Sequence, residues 1–207
     1  GSRGYGRSYL LLDNGLARAN AVTDIAAVLN EIYRHPRLDG SRVAVMGGSY
    51  GGFMTLACMA RFNSFILCGV DVVGISNFVT FLKNTKGYRR DLRRAEYGDE
   101  REPKMKKFLK SISPFNNVKE ITRPLLIVQG ANDPRVPASE SEQMKKALRD
   151  RGNAVWYLLA KDEGHGFRKR TNREYQFLST VLFLKQYLLG DLPKQTKPGG
   201  GSIDIGR

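Results

Sequence analysis

Two apolar periods alternate along the 207 residues. Between Thr23 and Tyr33, Ile25, Val28, Leu29 and Ile32 stand at i, i+3, i+4 and i+7, which predicts one face of a helix. RVAVM (42–46) follows, short, valine-rich and bounded by Gly40 and Gly47, and predicts a buried strand. The pattern repeats: GGFMTLACMARF (51–62) reads as helix and FILCGVDVV (65–73) as strand. A basic stretch, 83–110, predicts two short helices closed off by SISPFNNV (111–118). RPLLIVQG (123–130) has no polar alternation, the mark of a strand covered on both faces in a parallel sheet.

Ser139 and Glu142 have capping-box spacing ahead of a helix whose apolar face is Met144, Ala147 and Leu148, with Gly152 at its C′ position. AVWYLLA (154–160) is a fourth strand. Phe177, Val181, Leu184 and Leu188 stripe a last helix that Gly190 stops. Alternating strands and helices mean βαβ crossovers: an α/β fold with a mostly parallel sheet and helices on both faces. No repeat or internal boundary divides residues 1–190, and 191–207, with Pro, Gly and charge but no period, reads as a flexible carboxyl-terminal tail.

Composition narrows the class. Hydrophobic residues are 41% and charged residues 26%, ordinary for a globular domain. No apolar run reaches the roughly 18 residues of a membrane span; the longest, Phe177–Leu189, is broken by Lys185 and Gln186. Cys58 and Cys68 lack metal or redox spacing and read as buried free thiols, which favours a reducing, cytoplasmic setting. Neither a metal nor a cofactor is implied. The net charge of +14 would draw polyanions without selecting one, so no specific nucleic acid is expected. Much of the excess lies in 83–110, which also carries acids and reads as a solvated helical face.

The chemistry sits where strands end. Gly47-x-Ser49-x-Gly51 lies between a predicted strand and a predicted helix, the setting of a nucleophile elbow. There the Tyr50 backbone N–H, next after the nucleophile, becomes an oxyanion donor. A serine hydroxyl needs a base, and the chain has two histidines. His35 precedes the nucleophile strand and belongs to the far end of the sheet; His165, in KDEGHGF, follows the fourth strand on the elbow's edge. An orienting carboxylate is also required. Asp133, in the proline-fixed turn after the third strand, is preferred to Asp71 at the end of the second and to Asp162, too near His165 in sequence. The order Ser, Asp, His is that of α/β-hydrolases.

GGSYGG, GANDPRVP and DEGHGF together resemble the catalytic domain of the prolyl oligopeptidase family, with acylaminoacyl-peptidase and dipeptidyl-peptidase-like members nearest. The resemblance implies a serine peptidase acting on peptide substrates, oligopeptides among them, through an acyl-enzyme, with Ser49 as nucleophile, His165 as base and Asp133 as its orienting acid. It further implies that Arg135 grips a substrate backbone carbonyl, an ordinary surface charge being the alternative. By likeness Phe78, Phe81 and Val136 line the pocket for the residue before the cleaved bond, with core packing the alternative for each. A family member has about four strands before the helix that precedes the elbow. The chain starts at GSRGYGR, so it is expected to be amino-terminally truncated, lacking those strands, the loop of the second oxyanion donor and the family's propeller. Its first strand would then expose an apolar edge open to self-association. Two alternatives stand beside the peptidase: an ester or amide hydrolase on the same scaffold, and a catalytically incomplete fragment acting by association.

Overall fold

The computed structural model describes residues 4–191 and the strand at 202–205. A short helix α1 (Arg7–Leu10) and a 3₁₀ turn lead into α2 (Arg18–Arg34), β1 (Ala44–Gly48), α3 (Tyr50–Arg61) and β2 (Cys68–Val72). Three helices follow, α4 (Phe78–Asn84), α5 (Gly87–Tyr97) and α6 (Pro103–Ile112). The chain then alternates again: β3 (Leu125–Gly130), α7 (Ala138–Asp150), β4 (Val155–Ala160), α8 (Arg170–Leu184) and β5 (Ser202–Ile205).

The five strands pair in the order β1-β2-β3-β4-β5, all parallel. Alternate β3 side chains serve opposite faces. Leu125 and Ile127 pack with Leu29, Leu56, Met144 and Leu148 of α2, α3 and α7. Leu126 and Val128 pack with Phe183 of α8 on the other face. Each such side chain stabilises the fold by about 1.5–3 kcal/mol when fully buried. A third cluster joins Phe53, Phe78, Phe81, Tyr97 and Leu109 to Ile75 and Val136, from the loops after β2 and β3. Because every strand runs the same way, residues that follow strands collect along one edge of the sheet.

The first strand is 44–48 rather than 42–46, because Gly47 and Gly48 stay in register with Asp71 and Val72 before the chain turns. Val28 is 54% exposed; the buried face of α2 runs through Val22, Ile25 and Leu29 instead. Helix α7 starts at Ala138 with Pro137 at its N-cap and no side-chain cap, so Ser139 and Glu142 form no capping box. Phe177 is 67% exposed, and α8 packs through Phe183 and Leu184, after which a π-turn at Lys185–Leu189 brings Tyr187 and Leu188 onto the same cluster. Helix α4 went unseen because its start is set by a side chain: Asn77 Oδ1 accepts from the Val79 and Thr80 amides. Part of the expected tail, residues 202–205, runs as a strand whose backbone pairs with β4; residues 192–201, 206 and 207 lie outside the described residues.

Candidate active site

Ser49 stands between β1 and α3 with φ 58° and ψ −116°. Positive φ costs a side-chain-bearing residue roughly 1–3 kcal/mol and persists only where its surroundings enforce it. Here Ser49 N–H donates to Val72 O at 2.8 Å, and the Gly52 and Phe53 amides donate to Ser49 O at 3.0 and 3.2 Å. The turn is too close for a side chain at Gly47, whose Cβ would lie 2.3 Å from Gly51 O. Val73 follows β2 at φ 49°, tied by its amide to Val128 O at 2.8 Å, so two strained residues flank the strand junction.

The turn after β3 folds around Asp133. Its Oδ1 accepts from the Arg135 amide at 2.8 Å and the Val136 amide at 3.0 Å, and its side chain has no solvent exposure. Its Oδ2 lies 2.7 Å from Nδ1 of His165, which is 14% exposed. The two loops approach closely at Gly130, where a Cβ would stand 2.1 Å from Gly164 O. Glu163, buried beside them, closes the histidine loop by accepting from the Arg168 and Lys169 amides and from Asn172 Nδ2, each at 2.9 Å. Burial pushes Glu163 up, but those bonds hold it below its ordinary value on balance.

Thus the structure brings Asp133 and His165 into contact and sets both, with Ser49, just past the ends of parallel strands. No hydrogen bond joins the Ser49 hydroxyl to His165 among the described residues. The Tyr50 amide is the first of α3, in the turn where helix N–H groups lack intrahelical partners. His35 lies before β1, at the opposite edge. Asp71 is buried beneath the elbow, burial raising its carboxyl to about 7, and no ion pair links it to His165 among the described residues.

A cavity of about 270 Å³ opens beside the serine. Ser49, Tyr50, Phe81, Arg135 and Val136 all line it. Phe78 does not; it is fully buried, its ring 4.7 Å from that of Phe53 and 5.1 Å from that of Tyr97. Arg89, Arg93, Glu96 and Tyr97 complete one wall, so part of the basic stretch faces this cavity and not solvent alone. Their i, i+4, i+7, i+8 spacing on one helix was a usable signal, masked by the density of charge around it. Arg18 supports the wall from behind: buried, paired with Asp13 at 2.8 Å, and stacked 5.0 and 4.9 Å from the Tyr50 and Tyr97 ring centres.

Cys58 and Cys68 are buried free thiols, burial raising both to about 11. No helix among the described residues is long and apolar enough to cross a membrane.

Comparison with known proteins places the chain in a family. The family model described as "Prolyl oligopeptidase family" matches residues 1–191. The chain is 37% identical over 195 residues to dipeptidyl peptidase family member 6 of Caenorhabditis elegans, covering 92% of this chain and 26% of that protein. It is 37% identical over 193 residues to dipeptidyl aminopeptidase BIII of Pseudoxanthomonas mexicana, covering 92% and 28%. A puromycin-hydrolyzing peptidase of Mycobacterium tuberculosis superposes with a TM-score of 0.84 at 28% identity, covering 95% of this chain and 29% of that one. The chain spans about a quarter of the length of these curated relatives. With its parallel sheet, its strained serine elbow and a match over nearly its whole length, the chain belongs to the prolyl oligopeptidase family of serine peptidases, on an α/β-hydrolase fold.

Proposed function

We propose that this chain carries the nucleophile, base and orienting acid of a peptidase that cleaves oligopeptide bonds through an acyl-enzyme. Ser49 Oγ attacks the scissile carbonyl carbon and passes its proton to His165 Nε2; the leaving amine takes that proton as the peptide C–N bond breaks. Water then repeats the sequence on the ester. Asp133 holds the His165 ring through Nδ1 and stabilises the imidazolium that forms. The Tyr50 amide donates to the developing oxyanion, and Arg135 holds a substrate carbonyl. One observation carries the reading: the Asp133–His165 contact of 2.7 Å, at the strand ends that also present Ser49.

The test is intact-mass analysis after exposure to a fluorophosphonate, with Ser49→Ala, His165→Ala and Asp133→Asn alongside. A single adduct is expected, absent in Ser49→Ala and slowed by about 10³–10⁴-fold in the other two. Equal labelling of Asp133→Asn and wild type would remove the proposed orienting role. Turnover of aryl esters with none of peptide amides would move the assignment to an ester hydrolase of the same fold. Association is a second reading, favoured by β1: Met46 is 66% exposed and this strand pairs on one side only among the described residues. A sedimentation coefficient that rises with concentration is its expected sign.

A further inference from the structure

We propose that the cavity beside Ser49 selects a peptide residue with an acidic side chain, whose carboxylate is taken by Arg89. The inference rests on Ser49 being the nucleophile and adds the substrate class. Helix α5 turns Arg89, Arg93, Glu96 and Tyr97 onto one wall. Arg93 is already neutralised, ion-paired with Glu96 and lying 5.8 Å from the centre of the Tyr97 ring. Arg89, one turn earlier, has no ion pair or side-chain hydrogen bond among the described residues, and its Nε is buried without a partner. A buried donor left unpaired is costly, and an incoming carboxylate relieves that cost with a charge-assisted bond.

The remaining lining fits the rest of such a side chain. Ile75, Phe81 and Val136 are buried and apolar, a surface for a methylene stem. With Arg135 at the opening, three guanidinium groups line the cavity against one carboxylate. A lysine or arginine side chain would meet like charge, and a leucine would leave Arg89 Nε as it is. About 270 Å³ is below the roughly 300–1,000 Å³ of sites that enclose a drug-sized ligand, and suits one side chain.

The experiment measures second-order rate constants for modification of the 207-residue chain by acetyl-capped aminoalkylphosphonate diphenyl esters bearing glutamate, leucine or lysine side chains. Ser49 Oγ bonds to phosphorus, phenoxide leaves, and the hydroxyl proton passes by way of His165 to solvent. These probes carry no α-carboxylate, so any preference reads the side chain alone. The glutamate probe is expected to react about tenfold or more faster than either of the others, less so at high salt. Within each variant the glutamate-to-leucine ratio cancels any general loss of reactivity. That ratio should fall to about one in Arg89→Gln, and Arg89→Glu should favour the lysine probe.

A leucine or lysine probe that reacts fastest with wild type overturns the proposal without any variant. So does a ratio unchanged in Arg89→Gln. In both cases labelling by a generic fluorophosphonate keeps the peptidase reading intact. Failure of the generic probe to modify Ser49 overturns that reading, and the selectivity with it.

Discussion

Asp71 should make the fold less stable as pH rises from about 4 to about 7. It pairs in register with Gly47 in the strand that leads to Ser49, and its Oδ1 would lie 2.3 Å from a Cβ placed on Gly52, directly beneath the first turn of α3. That oxygen has no hydrogen-bond partner among the described residues. Burial raises the carboxyl from the ordinary 3.8 to about 7, with the Gly74 amide pulling weakly the other way. Below about pH 4 the group is protonated in both folded and unfolded chains and contributes nothing. Between about 4 and 7 the unfolded chain loses the proton while the folded chain keeps it, so stability declines with pH. Above 7 the penalty is complete. At 1.36 kcal/mol per pH unit it is on the order of 4 kcal/mol, a large share of the 5–15 kcal/mol typical of a domain.

Asp71→Asn keeps the shape and removes the ionisation. Urea unfolding followed by far-ultraviolet circular dichroism from pH 4 to 8 should show the variant gaining on wild type by several kcal/mol across that range. Comparing the two isolates this group from carboxylates such as Asp99, held down to about 2 mainly by its hydrogen bond from Arg101, whose contribution is instead lost as pH falls. A difference between the two proteins that stays constant with pH would refute the reasoning.

Two further perturbations probe the supports of the site. Arg18→Ala removes the ion pair to Asp13, the donor to Glu96 O at 3.1 Å and the cation beside the stacked Tyr50 and Tyr97 rings; a loss of about 3 kcal/mol is expected by denaturant titration, and a loss under 1 kcal/mol would count against a structural role. Gly130→Ala sets a methyl carbon 2.1 Å from Gly164 O, so the histidine loop must move; fluorophosphonate labelling should slow by about 10²-fold in protein that still folds, and an unaltered rate would show that the loop has slack.

The placement of β1 to β4 was legible because each lies in a mostly apolar run, and strand ends place Ser49, Asp133 and His165 on one edge by topology alone. What escaped were features held by single polar contacts. Helix α4 depends on the Asn77 cap, and the start of α7 on the φ of −57° that Pro137 imposes, neither of which leaves a periodic trace. The selector wall on α5 escaped for another reason. In 83–110 arginines are so frequent that sequence spacing cannot separate Arg89, with its buried unpaired Nε, from Arg94, which is paired with Glu100 at 2.5 Å.

Four buried carboxylates near the strand ends show why residue type alone could not assign the roles. Asp133 spends one oxygen on two backbone amides and the other on His165. Glu163 spends both oxygens on the end of the loop that carries His165. Glu140, raised by burial, accepts from the Ser76 and Asn77 amides and the Thr80 hydroxyl, and so pins α7 to the start of α4, which supplies Phe81 to the cavity. Asp71 has an oxygen without a hydrogen-bond partner among the described residues, and burial raises its carboxyl to about 7. An acid that must steady an imidazolium has to stay ionised, which requires donors around it. For the mechanism proposed above, donors rather than position along the sheet edge therefore favour Asp133 over Asp71, and those donors are the amides of Arg135 and Val136, available because the turn after β3 wraps back on its own carboxylate.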